Sequence, residues 1–176
     1  DIDDASLEKV GQWPWPRTAI ADLLNRLADA KAAVVGFDAI FSEYDRTSPD
    51  QIANSIRGAD KETIAKLMAL PRNEDAMVAA MKRISTVVGQ VGVNTALPEG
   101  GLTASMASSV KGSKGGDPKP FLHQYVAYMG NVPELEKAAR GHGFFSIGNE
   151  PDGLVRRVPL VSRIGKDIRP ALTVEM

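Results

Sequence analysis

Four aspartates are the first side chains in this sequence whose types and positions suggest shared chemistry. Asp1, Asp3 and Asp4 lie in what reads as the end of a strand, and Asp38 lies at the end of a second apolar run. The carboxyl ends of parallel strands form the ligand crevice of α/β proteins, so these carboxylates are expected to converge there. Converging carboxylates can bind a divalent cation or an amine. The structural alternative is that Asp4 or Ser6 caps a helix and Asp38 pairs with an arginine.

The segment from Trp13 to Arg17 is unusually rich in tryptophan and proline. Prolines with a fixed φ would hold Trp13 and Trp15 as a rigid aromatic platform, and Arg17 would add a planar cation beside it. Such a platform suits the lip of a ligand pocket or a contact with another subunit. The alternative is that the indoles fill the core where the first long helix starts. We favour that alternative for one indole and leave the other open.

Charged residues that follow the predicted strands are further candidates. Glu43 follows the second strand, and Arg156 lies beside Arg157 in a later one. Adjacent residues of a strand point to opposite faces, so the two arginines cannot both line one pocket. One of them is expected to pair with an aspartate near a strand end, which is a structural role more often than a functional one.

Several classes of protein are disfavoured by what the sequence lacks. It has no cysteine, its net charge is −1, and its basic residues are scattered, so thiol chemistry and nucleic-acid binding are not expected. His123 and His142 lack metal-ligand spacing, and His142, between two glycines, suggests tight backbone packing near an exposed turn. No nucleophile elbow, P-loop or dinucleotide fingerprint is present. We therefore predict no catalytic residue, no metal and no cofactor.

The hydrophobic pattern predicts an α/β fold. Apolar spacing indicates a helix over Arg17–Ala32 and a buried strand over Ala32–Phe41. With the N-terminal strand they would form a parallel βαβ unit. Val87–Val93 reads as a third strand, and residues 144–147 and 154–164 read as a C-terminal antiparallel hairpin. The prediction is a mixed sheet with helices packed on it.

The domain organisation is expected to be simple. Residues 1–176 read as a single domain, and the glycine- and serine-rich stretch 98–120 reads as a flexible loop insertion. The sequence starts with Asp1 rather than methionine, inside an apparent strand, and stops inside an apparent helix. We therefore expect a domain excised from a longer chain.

Motifs spread along the sequence resemble a known family. The segments that carry the resemblance are Asp3 with Ser6 and Leu7, Trp13-Pro14-Trp15-Pro16-Arg17, Gly36-Phe37-Asp38 with Phe41 and Glu43-Tyr44-Asp45, Gly143-Phe144, Pro151-Asp152-Gly153-Leu154-Val155-Arg156-Arg157, and Pro170-Ala171-Leu172 with Glu175. Together they resemble the CHASE type 2 domain, a sensory module of bacterial receptors. The likeness covers nearly the whole chain, from Asp1 to Glu175, and leaves out the 98–120 loop.

The resemblance implies a place and a role. Such domains lie outside the cytoplasmic membrane, with one transmembrane helix before them and others after them. The output domain in the cytoplasm is typically an adenylate or guanylate cyclase, a diguanylate cyclase, a histidine kinase or a serine/threonine kinase. The expected location is therefore the cell inner membrane, with this domain periplasmic or extracellular. The expected partners are an unknown small-molecule ligand, a second copy in a homodimer, and the membrane through flanking helices.

Two other functions stay open at this point. One is a dimerisation or protein-interaction module without a small ligand, and a less favoured one is a metal-dependent hydrolase using carboxylates. The residues predicted to bind a ligand are Asp3, Asp4, Trp13, Trp15, Arg17, Asp38, Glu43 and Arg156.

Overall fold

The chain forms two compact units. The computed structural model describes residues 3–97, 114–147, 152, 154–165 and 167–176. A helical unit comprises Asp1–Ala32 and Tyr44–Ile84, and a sheet unit comprises Ala33–Glu43 and Ser85–Met176. The sheet unit contains both parallel and antiparallel strands. The predicted mixed α/β fold is therefore confirmed.

The helical unit is held by the packing of two of its helices. Its helices are α1 (Asp4–Val10), α2 (Arg17–Asp29), α3 (Pro49–Ser55), α4 (Lys61–Met68) and α5 (Asn73–Met81). Helix α2 corresponds to the long helix predicted to begin at Arg17, which is therefore confirmed. It packs against α5. Ile20 and Leu24 of α2 are buried, as are Met77 and Met81 of α5. These apolar side chains recur every three or four residues, which places them on one face of each helix.

The start of the chain differs from the prediction. Residues from Asp4 onward are helical, and Asp3 is the N-cap of α1 rather than the end of a strand. The Asp3 carboxylate accepts a hydrogen bond from the Ser6 amide at 2.9 Å, and the Ser6 hydroxyl accepts one from the Asp3 amide at 2.8 Å. This reciprocal pair is a capping box, which satisfies amides at the helix start and so stabilises the helix there. Asp1 and Ile2 lie outside the described residues.

The sheet unit is arranged around one central strand. Its strands are β1 (Val34–Phe37), β2 (Ser85–Val93), β3 (Gln124–Tyr125), β4 (Ala127–Met129), β5 (Gly141–Phe144), β6 (Val161–Ile164) and β7 (Asp167–Pro170). Its helices are a 3₁₀ turn (Lys119–Phe121), α6 (Pro133–Ala138) and α7 (Leu172–Glu175). Strand β2 pairs in parallel with β1 and β5 and antiparallel with β4, whereas β6 pairs with β3 and β7 in a second sheet. The predicted strands 32–41 and 87–93 therefore correspond to β1 and β2.

The C-terminal hairpin lies later in the chain than predicted. The antiparallel pair is β6 with β7, and Gly165 between them has a φ of 53° that suits glycine. Residues 154–159 are not in a strand, consistent with Pro159, which cannot donate a hydrogen bond to a neighbour. Strand β5 instead pairs in parallel with β2. The predicted turn between residues 147 and 154 lies outside the described residues, apart from Asp152. Residues 98–113 of the predicted loop also lie outside them.

Helix α7 packs on glycines of the parallel strands. A Cβ added at Gly143 would lie 2.7 Å from the backbone nitrogen of Leu172, and one at Gly141 would lie 2.6 Å from Oε1 of Glu175. A Cβ added at Gly36 of β1 would lie 3.0 Å from Cε of Met176. Only glycine allows so close an approach of another backbone to a strand. The last residues of the chain are therefore held directly against β5 and β1.

This packing predicts different costs for two matched substitutions. We expect Gly143→Ala to lower the free energy of unfolding by about 1–3 kcal/mol, because the new methyl group meets the backbone of α7. Gly36→Ala is expected to lower the free energy of unfolding by less than about 1 kcal/mol, because its new methyl group meets the flexible side chain of Met176. Urea denaturation of both variants, with hydrogen exchange at the α7 amides, measures the difference. Equal costs for the two substitutions would contradict backbone docking of α7.

Candidate functional site

The predicted acidic residues are exposed in the structure. Asp3 caps α1 and Asp4 begins it, and both side chains are in solvent. Hydrogen bonds from Ser6 hold the pKa of Asp3 below its usual value, as expected for a capping carboxylate. Asp38 and Glu43 lie in the chain that follows β1 and are also exposed. Their role in ligand binding stays a prediction, but Asp3 acts in a helix cap and not at a strand end.

The two tryptophans form the rigid pair that the prolines suggested. The rings of Trp13 and Trp15 meet edge to face, with centroids 5.6 Å apart and planes at 72°. The indole nitrogen of Trp15 donates a hydrogen bond to the carbonyl oxygen of Gly11 at 2.8 Å. Both side chains are half-buried. Neither indole is therefore fully enclosed in a core, and each keeps an exposed surface.

Arg17 is buried and does not extend the aromatic platform into solvent. Its side chain is 5% exposed, and its backbone amide donates to Oδ2 of Asp45 at 2.7 Å. Burial lowers the pKa of the Arg17 guanidinium, while the carboxylates of Asp45 and Glu74 oppose that shift. Asp45 in turn donates its own amide to Oε1 of Glu74 at 2.6 Å. These contacts fix the start of α2 to the loop before α3 and to α5.

Asp45 is the centre of this cluster in the helical unit. Its Oδ1 accepts from the amide and hydroxyl of Thr47 at 2.8 and 2.7 Å, and its Oδ2 accepts from Nδ2 of Asn73 at 2.8 Å. Burial would raise the pKa of Asp45, but these bonds and the one from Arg17 outweigh burial and hold the pKa below its usual value. The ionised form of Asp45 is therefore the one that the folded helical unit stabilises.

Arg156 forms an ion pair, but its partner Asp152 lies in a turn and not near a strand end as expected. Its Nη1 and Nη2 donate to Oδ1 and Oδ2 of Asp152 at 2.9 and 2.6 Å. Both side chains are about half exposed, so the pair contributes little to stability. The bidentate geometry sets the position of the Arg156 guanidinium relative to Asp152.

A second polar cluster, which sequence reasoning missed, lies inside the sheet unit around Glu136. Oε1 of this carboxylate accepts from both the amide and the Nδ2 of Asn131 at 2.8 Å, and Oε2 accepts from Nε2 of Gln90 at 3.2 Å. Nε2 of His142 lies 3.1 Å from Oε2 and 2.9 Å from the carbonyl oxygen of Glu136. Donors from β2, from β5 and from Asn131, two residues before α6, thus converge on one buried carboxylate.

Asn131 uses all of its hydrogen-bonding groups to join separate segments of the sheet unit. Its Oδ1 accepts from the amide of Phe41 at 2.7 Å, and its Nδ2 also donates to the carbonyl oxygen of Gly89 at 3.0 Å. Asn131 and Glu134 have the spacing of a capping box, but Val132 is the N-cap and Pro133 starts α6. Asn131 instead ties the exit of β1 to β2 and to Glu136.

Arg169 extends the cluster toward α7. It is 1% exposed, donates to Oε1 of Gln90, and lies over the ring of Tyr128 at 5.0 Å. Tyr128 in turn shares a short hydrogen bond with Ser162 of β6. Burial lowers the pKa of Arg169, and the nearby Tyr128, Glu136 and Asp167 oppose that shift. A continuous polar path therefore runs from Glu136 to the strand that precedes α7.

The observed position of His142 differs from the exposed turn that its neighbouring glycines predicted. It is 2% exposed and lies inside β5, not beside an exposed turn. The flanking glycines serve the packing of α7, while the imidazole contacts Glu136. The glycines and the imidazole belong to the same strand but lie on opposite faces of it, because successive residues of a strand point to opposite faces. No local motif indicated the contact of His142 with Glu136, because it depends on how the chain turns from α6 into β5.

The arrangement is suited to linking strands rather than to metal chemistry. Within the described residues no group of three or more His, Asp or Glu side chains could hold a metal ion. Glu136 is satisfied by donors that belong to the protein itself. The sheet-unit cluster can therefore relate the positions of β2, β5 and β7 to each other.

The pKa shift of Asp45 predicts an acid-dependent contribution to stability. Since its pKa is lower in the folded chain, its stabilisation is complete above the usual value of about 3.9 and is lost as the pH falls through the folded value. We expect Asp45→Asn to lower the free energy of unfolding by about 2 kcal/mol near neutral pH. The gap from the wild type should narrow below about pH 4.

Urea denaturation across this pH range measures the Asp45 effect. Asp22→Asn, an exposed change on α2, is the matched control and should stay within about 0.5 kcal/mol of the wild type. The stabilising role of ionised Asp45 would be contradicted if Asp45→Asn and the wild type were equally stable near neutral pH. It would also be contradicted if the difference between their free energies of unfolding grew in acid.

The Glu136 cluster predicts a large cost for removing its acceptor. Glu136→Ala leaves several buried donors without their carboxylate, so we expect a loss of about 3–5 kcal/mol in the free energy of unfolding. Lys137→Ala, an exposed change on the same helix, should stay within about 0.5 kcal/mol. Denaturation of both variants tests this, and similar losses would refute a special role for Glu136.

Comparison with known proteins identifies the family of the chain. No curated protein and no solved structure matches it. Among the described residues, no helix is both long and apolar enough to cross a bilayer. The family model described as the CHASE2 domain matches residues 1–176, which is the whole chain. CHASE2 domains are extracellular sensory domains of receptors and are not catalytic domains. The chain therefore belongs to the CHASE2 domain family.

Proposed function

We propose that this domain senses a signal for a bacterial transmembrane receptor by changing how α7 packs on the sheet. The observation that carries the proposal is the backbone contact of Leu172 with Gly143. Membrane helices after this segment of the chain are part of the proposal, because the family resemblance implies them. A change in β5 would therefore reach the membrane through α7, as a shift between two packed states.

The Glu136 cluster supports the same route. Arg169 lies in β7, shortly before α7 begins at Leu172, and it is bonded to Gln90 of the central strand. A ligand that moves β2 or β5 would thus act on α7 from two directions: through the glycine contacts and through the buried cluster. Interfaces of this kind change between discrete arrangements more readily than they deform smoothly.

The proposed output is a nucleotide cyclase in the cytoplasm, with a histidine kinase as the second candidate. The domain would then lie in the periplasm or outside the cell, anchored in the inner membrane. Because a cyclase active site needs two subunits, a homodimer is part of the proposal. The residues proposed to contact ligand are those predicted from the sequence, each to be tested singly by alanine: Asp3, Asp4, Trp13, Trp15, Arg17, Asp38, Glu43 and Arg156.

A second candidate function is an assembly module without a small ligand. The segment 154–160 exposes four large apolar side chains, each by more than half: Leu154, Val155, Val158 and Leu160. Apolar side chains clustered in this way are typical of protein contact surfaces. In this case Leu160→Asp would abolish self-association, whereas Asp38→Ala would leave it intact. Sedimentation velocity of the two variants tests whether this segment is a contact surface.

Spin-label distances provide the test of transmission through α7. The chain has no cysteine, so Lys137→Cys on α6 and Thr173→Cys on α7 give a unique pair of exposed labels within the sheet unit. Compounds are first chosen by thermal shift from L-amino acids, divalent metal chlorides, phosphate and nucleotides, since a bound ligand raises the melting temperature. We expect the label distance distribution to change when such a compound is present.

The control for this test is a pair of labels that does not involve α7. Lys137→Cys with Gln124→Cys joins two exposed positions of the same unit and should keep its distance when the compound binds. An unchanged distance for the α7 pair, with every compound that raises the melting temperature, would rule out transmission through α7.

A further inference from the structure

We infer that the sheet unit binds a small zwitterion, of the class of α-amino acids with a short aliphatic side chain, at the amino ends of its parallel strands. This inference rests on the proposed sensory function and names the ligand class and the site. None of the eight residues predicted from the sequence lines this site. The site is a cavity beside α7, not the crevice at the carboxyl ends of the strands.

The cavity lies where three strands begin. Its volume is about 310 Å³, and its lining residues are Ala33, Val34, Ser85, Val87, Arg140, Gly141, Glu175 and Met176. Val34, Ser85 and Gly141 are the first residues of β1, β2 and β5. Glu175 ends α7, and Met176 follows it directly. The cavity is therefore bounded by the sheet on one side and by Glu175 and Met176 on the other.

Two opposite charges line the cavity. Arg140 is exposed, and in the described part of the chain its side chain forms no ion pair, while its backbone amide bonds to Thr86 at 2.9 Å. An exposed guanidinium at a pocket can bind a carboxylate with two parallel hydrogen bonds. Glu175 contributes a carboxylate, which attracts an ammonium group. Ser85 adds a hydroxyl that can donate or accept.

The remaining walls set the size and polarity of the ligand. Val34, Val87, Ala33 and Met176 are apolar and suit a short aliphatic group. A volume of about 310 Å³ is at the small end of ligand pockets, which favours a compact metabolite over a nucleotide. A carboxylate, an ammonium group and a short aliphatic chain on one molecule make an aliphatic amino acid, and the small volume favours the α-amino acids, whose two charged groups lie closest together.

The position of the site connects it to α7. Arg140 directly precedes β5, and Glu175 is the last residue of α7. A zwitterion between them would join the sheet to the helix by a charged contact at each end. Its binding would favour the state in which α7 is packed on Gly141 and Gly143, which is a shift of population by differential affinity.

Isothermal titration with three matched compounds tests the ligand class. L-Leucine carries both charges, 4-methylpentanoate lacks the ammonium group, and 3-methylbutylamine lacks the carboxylate. We expect L-leucine to bind the chain at one site, and each analogue to bind at least about tenfold more weakly, because each loses one charged contact. L-Alanine and L-valine complete the panel for side-chain length.

Variants of the two charged residues locate the site. Arg140→Gln and Glu175→Gln should each weaken L-leucine binding at least about tenfold. Arg157→Gln, another exposed arginine of the same unit, is the matched control and should leave binding unchanged. Ala33→Leu, which adds volume to the cavity wall while keeping both charges, should also weaken binding. Melting temperatures of the free variants show that each one is folded.

The outcomes separate this site from the proposed function. The zwitterion site is overturned if no amino acid of the panel binds, or if both charge variants bind as the wild type does. If L-leucine binds through Arg140 and Glu175 but the label distance to α7 stays fixed, the site stands and transmission through α7 fails. If another compound changes that distance while no amino acid binds, transmission stands and the zwitterion site fails.

Discussion

The buried carboxylate of Glu136 is the constraint on which the sheet unit depends. A carboxylate taken out of water loses hydration worth several kcal/mol, so it is tolerated only where protein donors replace that water. Here the donors are Asn131, Gln90 and His142, which come from separate segments of the chain. They reach Glu136 together only when β2 and β5 are in the observed register. The cluster thus selects one arrangement of the strands as well as stabilising it.

Part of this fold could be predicted because local pattern and final structure agree. The helix beginning at Arg17 and the strands β1 and β2 follow from apolar spacing and from runs of β-branched residues. The first residues could not be assigned in the same way, because Asp3 and Ser6 fit either the end of a strand or a capping box. The predicted hairpin lies too early in the chain, because a lone Gly165 is a weaker signal for a turn than the turn residues that precede it.

The polar clusters and the cavity had almost no sequence signal. Glu136, Gln90 and Arg169 are isolated in the chain and belong to no motif, and they lie on α6, β2 and β7, so only the tertiary structure shows that they share a site. Similarly, the cavity takes its walls from distant segments, including the residues that follow α7. Because ligands of α/β proteins bind at the carboxyl ends of strands, the sequence predicted a site near Asp3 and Asp38. The cavity lies instead at the amino ends of β1, β2 and β5. Charged residues are easier to find in a sequence than the space between them.

The contact of α7 with strand glycines also limits how the helix can move. Gly141 and Gly143 are bare positions on one face of β5, and the next position on that face is Phe145, whose ring lies over Gly89. This ring opposes a slide of α7 toward the carboxyl end of β5. If α7 carries the signal as proposed, the helix is therefore expected to lift away as a unit, and each molecule would be in one of two states. A graded concentration of signal would then change only the fraction of molecules in each state.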